Sequence, residues 1–103
     1  MHARLISFSG ADPARREEAI ETIRGTVIPM LRTFEGFAGY VALYDGENNR
    51  AKAIILWETA EQAEAAEAEL VERRKRIAGS VGLTPESADL YEVTVFELEG
   101  APV

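Results

Sequence analysis

The chain has 103 residues, 47% of them apolar and 28% charged, with no cysteine and a single tryptophan. That length fits one domain with a modest core, and the lack of cysteine excludes disulfides, thiolate metal sites and a cysteine nucleophile. Eleven basic against eighteen acidic residues leave a net charge of -7, which argues against nucleic acid and anionic membrane surfaces as partners.

No apolar run approaches the ~20 residues of a membrane span, and residues 1–10 lack the basic-then-apolar order of a signal peptide. The expectation is one acidic, cytoplasmic domain over 1–103, with its core at 3–98 and a frayed tail at 99–103.

Residues 3–10 (ARLISFSG) alternate loosely, carry β-branched and aromatic side chains, and stop at Gly10. They predict a strand. Asp12 and Pro13 follow as N-cap and first helical residue, with Glu17 and Glu18 near the positive end of the helix dipole. Ile20, Ile23, Val27, Leu31 and Phe34 then recur at three- and four-residue spacing, the apolar stripe of a helix to about Thr33. Pro29 removes the bond to the carbonyl of Gly25, so a bend is expected between the two.

Residues 37–44 (FAGYVALY) predict a second strand, and Asp45-Gly46 with Asn48-Asn49 a hairpin turn. Residues 51–58 (AKAIILWE) form the third strand, apolar on both faces. Thr59 and Gln62 have capping-box spacing ahead of a helix over 60–78. Its inner face is slim: Ala63, Ala66, Leu70 and Ile77. Gly79 and Gly82 read as the stop, 83–88 as a loop, and 89–98 (DLYEVTVFEL) as the fourth strand.

The order β-α-β-β-α-β with right-handed crossovers gives an α+β, ferredoxin-like subunit. It is one antiparallel four-stranded sheet with both helices on one face. The other face would be bare, yet Val41 and Leu43 face opposite to Tyr40 and Tyr44, and Val93 and Val95 opposite to Leu90 and Phe96. A large uncovered apolar sheet face is unusual on a monomer, so a two-fold homodimer is expected.

Several passages resemble the antibiotic-biosynthesis-monooxygenase-like proteins: Trp57-Glu58-Thr59 after Ile55-Leu56, the helix directly behind it, Ile-Pro-Met-Leu…Glu-Gly-Phe at 28–37, and Tyr91-Glu92-Val93. The likeness covers about residues 3–98 and is nearest to small members of unassigned function. It implies a dimeric α/β barrel with a cleft between helices and sheet in each subunit, and the two sheets facing each other. Members of that family include cofactor-independent oxygenases of aromatic polyketides, haem-degrading enzymes, and quinol- or autoinducer-related proteins.

The resemblance puts Trp57 at the cleft, where its ring would stack on a planar ligand; the residues alone read as a core tryptophan holding the second helix against the sheet. The oxygenases carry an asparagine four residues before this tryptophan, where this chain has Ala53. The haem-degrading members carry a histidine about ten residues after it, where this chain has Glu67. His2 is the only histidine and has no convergent partners, so no metal and no cofactor are expected.

Tyr40, Tyr44 and Tyr91 are candidate catalytic donors to a phenolate or quinone oxygen, or else half-buried strand residues. Phe37 and Phe96 are candidate walls of the ligand site, and Arg32 a candidate guard at its mouth together with Arg24. Arg73 to Arg76 read as a solvated helix end, and Glu64, Glu67 and Glu69 as an exposed helix face. The expected function is binding of a small hydrophobic or aromatic metabolite, with cofactor-independent oxygenation as the chemistry. The alternative is a non-catalytic dimeric binding or stress-related protein.

Overall fold

A computed structural model describes residues 1–100. Strand β1 (His2–Ser9) leads into a short 3-10 turn (Pro13–Arg15), then helix α1 (Arg16–Thr22), a π turn (Ile23–Val27) and helix α2 (Ile28–Leu31). The hairpin of β2 (Phe37–Asp45) and β3 (Arg50–Trp57) follows, then helix α3 (Ala60–Ser80) and β4 (Thr84–Glu92). All strand pairs are antiparallel, in the order β2-β3-β1-β4. The expected α+β, ferredoxin-like arrangement is the observed one.

Local chemistry accounts for the element starts. The Asp12 carboxylate accepts the Ala14 backbone N–H at 2.9 Å, and the Thr59 hydroxyl accepts that of Gln62 at 3.1 Å. The expected bend takes the form of the π turn: the Ile28 N–H bonds the Ile23 carbonyl, five residues back. A proline one residue later cannot donate, and the widened turn lets its ring clear the preceding carbonyls. In the β2–β3 hairpin, Asn49 takes a positive φ of 51°, as asparagine does at little cost.

The last strand departs from expectation. It begins at Thr84, inside the stretch read as a loop, and ends at Glu92 instead of residue 98. The cause is its neighbour. β4 pairs only with β1, from Ser9↔Thr84 to His2↔Glu92, so its span matches that of β1, His2–Ser9. A further bond from the Val93 N–H to the Met1 carbonyl, 2.9 Å long, carries the contact one residue past the strand. Pro85 is tolerated because β4 is an edge strand, and the register slips beside it between Ser7 and Phe8.

The helix end also shifts. α3 runs through Gly79 to Ser80, and the chain turns at Gly82, whose φ is 80°. Of the expected frayed tail, residues 101–103 lie outside the described residues.

Register sorts the side chains onto two faces. Toward the helices point three cross-strand rows: Tyr40–Ile55–Arg4–Leu90, Ala42–Ala53–Ile6–Ala88, and Tyr44–Ala51–Phe8–Pro85. The core gathers Ile6, Leu31, Ile55, Trp57 and Leu70 with Ala53, Ala63 and Ala66. On the opposite face lie Val41, Leu43, Ile54, Leu56, Leu5 and Tyr91, with Val41, Leu43 and Tyr91 well exposed.

Candidate functional site

The helix-facing rows are uneven in height. Ala42, Ala51 and Ala53 lie side by side on β2 and β3 and leave a trough that larger neighbours would fill. The first helical segment spans this trough with Ala19, Ile20, Ile23 and Val27, and the C-terminal half of α3 closes one end with Leu70, Ile77 and Ala78. The result is a cavity, open on one side, whose empty space with its mouth included is about 1060 Å³. Its walls are almost wholly apolar. An apolar cleft with few polar groups is the usual setting for a small hydrophobic ligand.

Two polar side chains lie along the inner wall. Tyr40, on the β2 edge, has its hydroxyl pushed up to about 12 by burial, against a weaker pull downward from the charge of Arg74. The phenol is therefore a neutral hydrogen-bond donor at any physiological pH. Arg74 is the second group. Its side chain is only 9% exposed, and its two Nη atoms donate to the two oxygens of Glu67 at 2.8 and 2.6 Å.

Glu67 is shared. The Nε of Arg4, a side chain 7% exposed on β1, lies 3.7 Å from the same carboxylate, and Arg4 Nη2 donates to Glu64 at 2.7 Å. Two nearly buried guanidinium groups are thus matched by two carboxylates across the β1–α3 seam. Breaking one member of such a cluster leaves an uncompensated buried charge.

At the mouth, Arg16 lies over the Tyr44 ring, 5.8 Å from its centroid. Arg15 pairs with Glu18 and also donates to the Ser80 carbonyl at 2.9 Å, tying the first helical segment to the end of α3. A second, shallow depression between Phe34 and α3 holds Glu35, Glu69 and Arg73. Among the described residues no three His, Asp or Glu side chains converge as a metal site would require.

The sequence candidates divide accordingly. Tyr40 and Tyr44 line the cavity, whereas Tyr91 is 54% exposed on the far face of the sheet. Trp57 is 1% exposed and packs edge-on against Phe34 and Phe37, with ring centroids 6.5 and 6.0 Å away. It forms core beneath α3 and does not line the cavity, and neither does Phe37. Phe96 lies beyond the end of β4, 59% exposed, because the strand stops before reaching it. Arg32 and Arg24 are exposed on the helix and away from the cavity, so Arg15 and Arg16 stand at the mouth instead.

Arg74 and Glu67 correct the reading of a solvated helix end and an exposed acidic face. A signal for them exists. Ala63, Glu67, Leu70, Arg74, Ile77 and Val81 follow one another at three- and four-residue spacing, so the two charges interrupt a continuous inward stripe.

No protein-family model and no curated protein matches this sequence. Solved structures do. The ActVA-Orf6 monooxygenase of Streptomyces coelicolor, in complex with nanaomycin D, superposes with a TM-score of 0.71 at 18% identity, over 96% of this chain and 92% of that one. SnoaB, a cofactor-independent oxygenase from Streptomyces nogalater, gives 0.66 at 16% identity, over 95% of this chain and 97% of that one. The chain has the fold of these monooxygenases. The NE2512 protein of unknown function from Nitrosomonas europaea shares it too, at a TM-score of 0.56 and 16% identity over 97% and 96% of the two chains. The monooxygenase-like fold is therefore common to enzymes and to proteins without an assigned activity, and chemistry has to be argued from the cavity.

Proposed function

We propose that this chain binds a small apolar, aromatic metabolite in the cavity and oxygenates it without a cofactor. The observation that carries the reading is the cavity itself, an apolar trough whose inner polar contacts are the Tyr40 phenol and the Arg74 guanidinium. In such chemistry the substrate supplies its own electrons. A substrate phenol loses its proton to water, and the anion passes one electron to dioxygen. The radical and superoxide recombine as a peroxide on the ring, which takes up a proton and loses water, leaving one oxygen atom as a quinone carbonyl. The protein's part is to exclude water, hold the ring and donate hydrogen bonds to the oxygen on which charge develops. Tyr40, neutral and half-buried, suits the role of donor, with Arg74 beside it.

The proposal extends to a homodimer. Val41 at 41%, Leu43 at 46% and Tyr91 at 54% exposure share a sheet face with Ile54 and Leu5, and a second copy would cover it by two-fold symmetry.

Oxygen-electrode assays with planar phenols and hydroquinones, run beside calorimetric titration, test the enzymatic reading. Saturable uptake is expected, reduced about 100-fold in Tyr40→Phe, the scale for losing one oxyanion donor. Binding without uptake would leave a non-catalytic ligand-binding protein. Absence of binding by every such compound would sink the cavity assignment.

A further inference from the structure

Arg74 is the one guanidinium on the inner wall, and its charge is already matched. Glu67 occupies both of its Nη atoms, at 2.8 and 2.6 Å. The same carboxylate lies 3.7 Å from Arg4, which also holds Glu64 at 2.7 Å. Arg4 and Arg74 against Glu64 and Glu67 sum to zero. The mouth adds no excess of positive charge, since Arg15 is paired with Glu18 and Arg16 with Glu17, beside Asp12. Lys52 borders the cavity but lies on the opposite sheet face, where its ammonium donates to the Ser7 hydroxyl at 2.7 Å.

A neutralised guanidinium still has donors to offer. Each Nη carries a second N–H and Nε a further one, so Arg74 can bond a carbonyl or hydroxyl oxygen while remaining paired with Glu67. A carboxylate or sulfonate is different. It would bring a negative charge into an apolar cavity where no unmatched positive charge receives it.

We infer that Glu67, acting through Arg74, sets the charge class of the ligand, so that the cavity selects uncharged oxygen-bearing molecules over carboxylates and sulfonates of the same shape. The inference rests on the cavity reading above and deepens it. Glu67 does not line the cavity; it fixes both the direction and the net charge of the group that does. Removing its charge while keeping its size would leave Arg4 and Arg74 against Glu64 alone. The cavity would then carry one surplus positive charge and accept anions.

A matched pair of fluorescent probes tests this: N-phenyl-1-naphthylamine, which is uncharged, and 8-anilinonaphthalene-1-sulfonate, which adds a sulfonate to the same rings. Titrations at about 0.3 M salt screen the exposed charges and leave the buried cluster largely unscreened. The wild-type chain is expected to bind the uncharged probe more tightly. Glu67→Gln should shift the ratio of affinities toward the sulfonate by tenfold or more. Glu67→Asp, which retains the charge, should hold the wild-type ratio. In the Glu67→Gln, Arg74→Met double variant the gain should vanish, which a purely structural role for Glu67 does not predict.

Glu64→Gln gives a second route if Glu67→Gln does not fold, because Glu64 is 64% exposed and Arg4 would retain Glu67 at 3.7 Å. It should move the ratio two- to threefold in the same direction. Equal or tighter binding of the sulfonate by the wild-type chain overturns the inference, as does an unchanged ratio in the Glu67 and Glu64 variants. Those outcomes leave the cavity reading standing. If neither probe binds, the cavity reading falls together with the inference.

Discussion

Burial decides what Tyr40 and Trp57 do. Both are large aromatics on neighbouring strands, but Tyr40 sits over the alanine trough while Trp57 fills the space beneath α3. Tyr40 therefore keeps its proton beyond the ordinary tyrosine range, from 10.0 to about 12 in the folded chain. The sign of the linkage follows. Unfolded chains lose this proton first, so the contribution to stability is complete below pH 10 and disappears as pH rises toward 12. It amounts to about 2 kcal/mol, allowing for the partial exposure of the ring. Absorbance titration at 295 nm should show a tyrosine step near pH 12 that Tyr40→Phe removes. Survival of that step in the variant would assign it elsewhere and return Tyr40 to an ordinary strand role.

The helices show how glycine acts differently by position. Gly79 lies within α3 with nothing near the place a Cβ would occupy, so Gly79→Ala should raise stability by about 0.5–1 kcal/mol. Gly82 has a φ of 80°, and a Cβ there would meet Arg15 Nη1 at 2.7 Å. Gly82→Ala should lower stability by about 1–2 kcal/mol, and it strains the Arg15–Ser80 tie across the cavity end. Urea midpoints of the two variants should move in opposite directions. The stop of α3 thus depends on one of two glycines that look alike in the sequence. What separates them is the backbone conformation each must adopt, which no local pattern of side chains specifies.

Across the whole molecule the two sheet faces divide the work. The helix-facing side holds the core and the cavity, and on the other side the described residues leave Val41, Leu43 and Tyr91 exposed. Placing a charge there should separate a dimer without disturbing the cavity. Sedimentation velocity is expected to give a dimer for the wild-type chain and a monomer for Val41→Lys, a position outside the cavity lining, with urea midpoints of the two close once corrected for concentration. A wild-type chain that sediments as a monomer at micromolar concentration would refute the assembly and leave Val41, Leu43 and Tyr91 unexplained.

The sequence by itself determined the order of elements, the caps at Asp12 and Thr59, the break at Pro29 and the two-faced character of β3. These are consequences of side-chain periodicity and of hydrogen bonds between residues a few positions apart, and both are written locally. The alanines at 42, 51 and 53 were equally visible, but that they adjoin is a matter of strand register. Only the tertiary structure set the span of β4, which is limited by where β1 begins, and only it carried Trp57 away from the cavity. It also turned Glu67 and Arg74 inward against Arg4, a residue more than sixty positions away. Each of these depends on which distant segment supplies a hydrogen-bond partner, a charge or a packing surface, and that choice is made when the chain closes on itself.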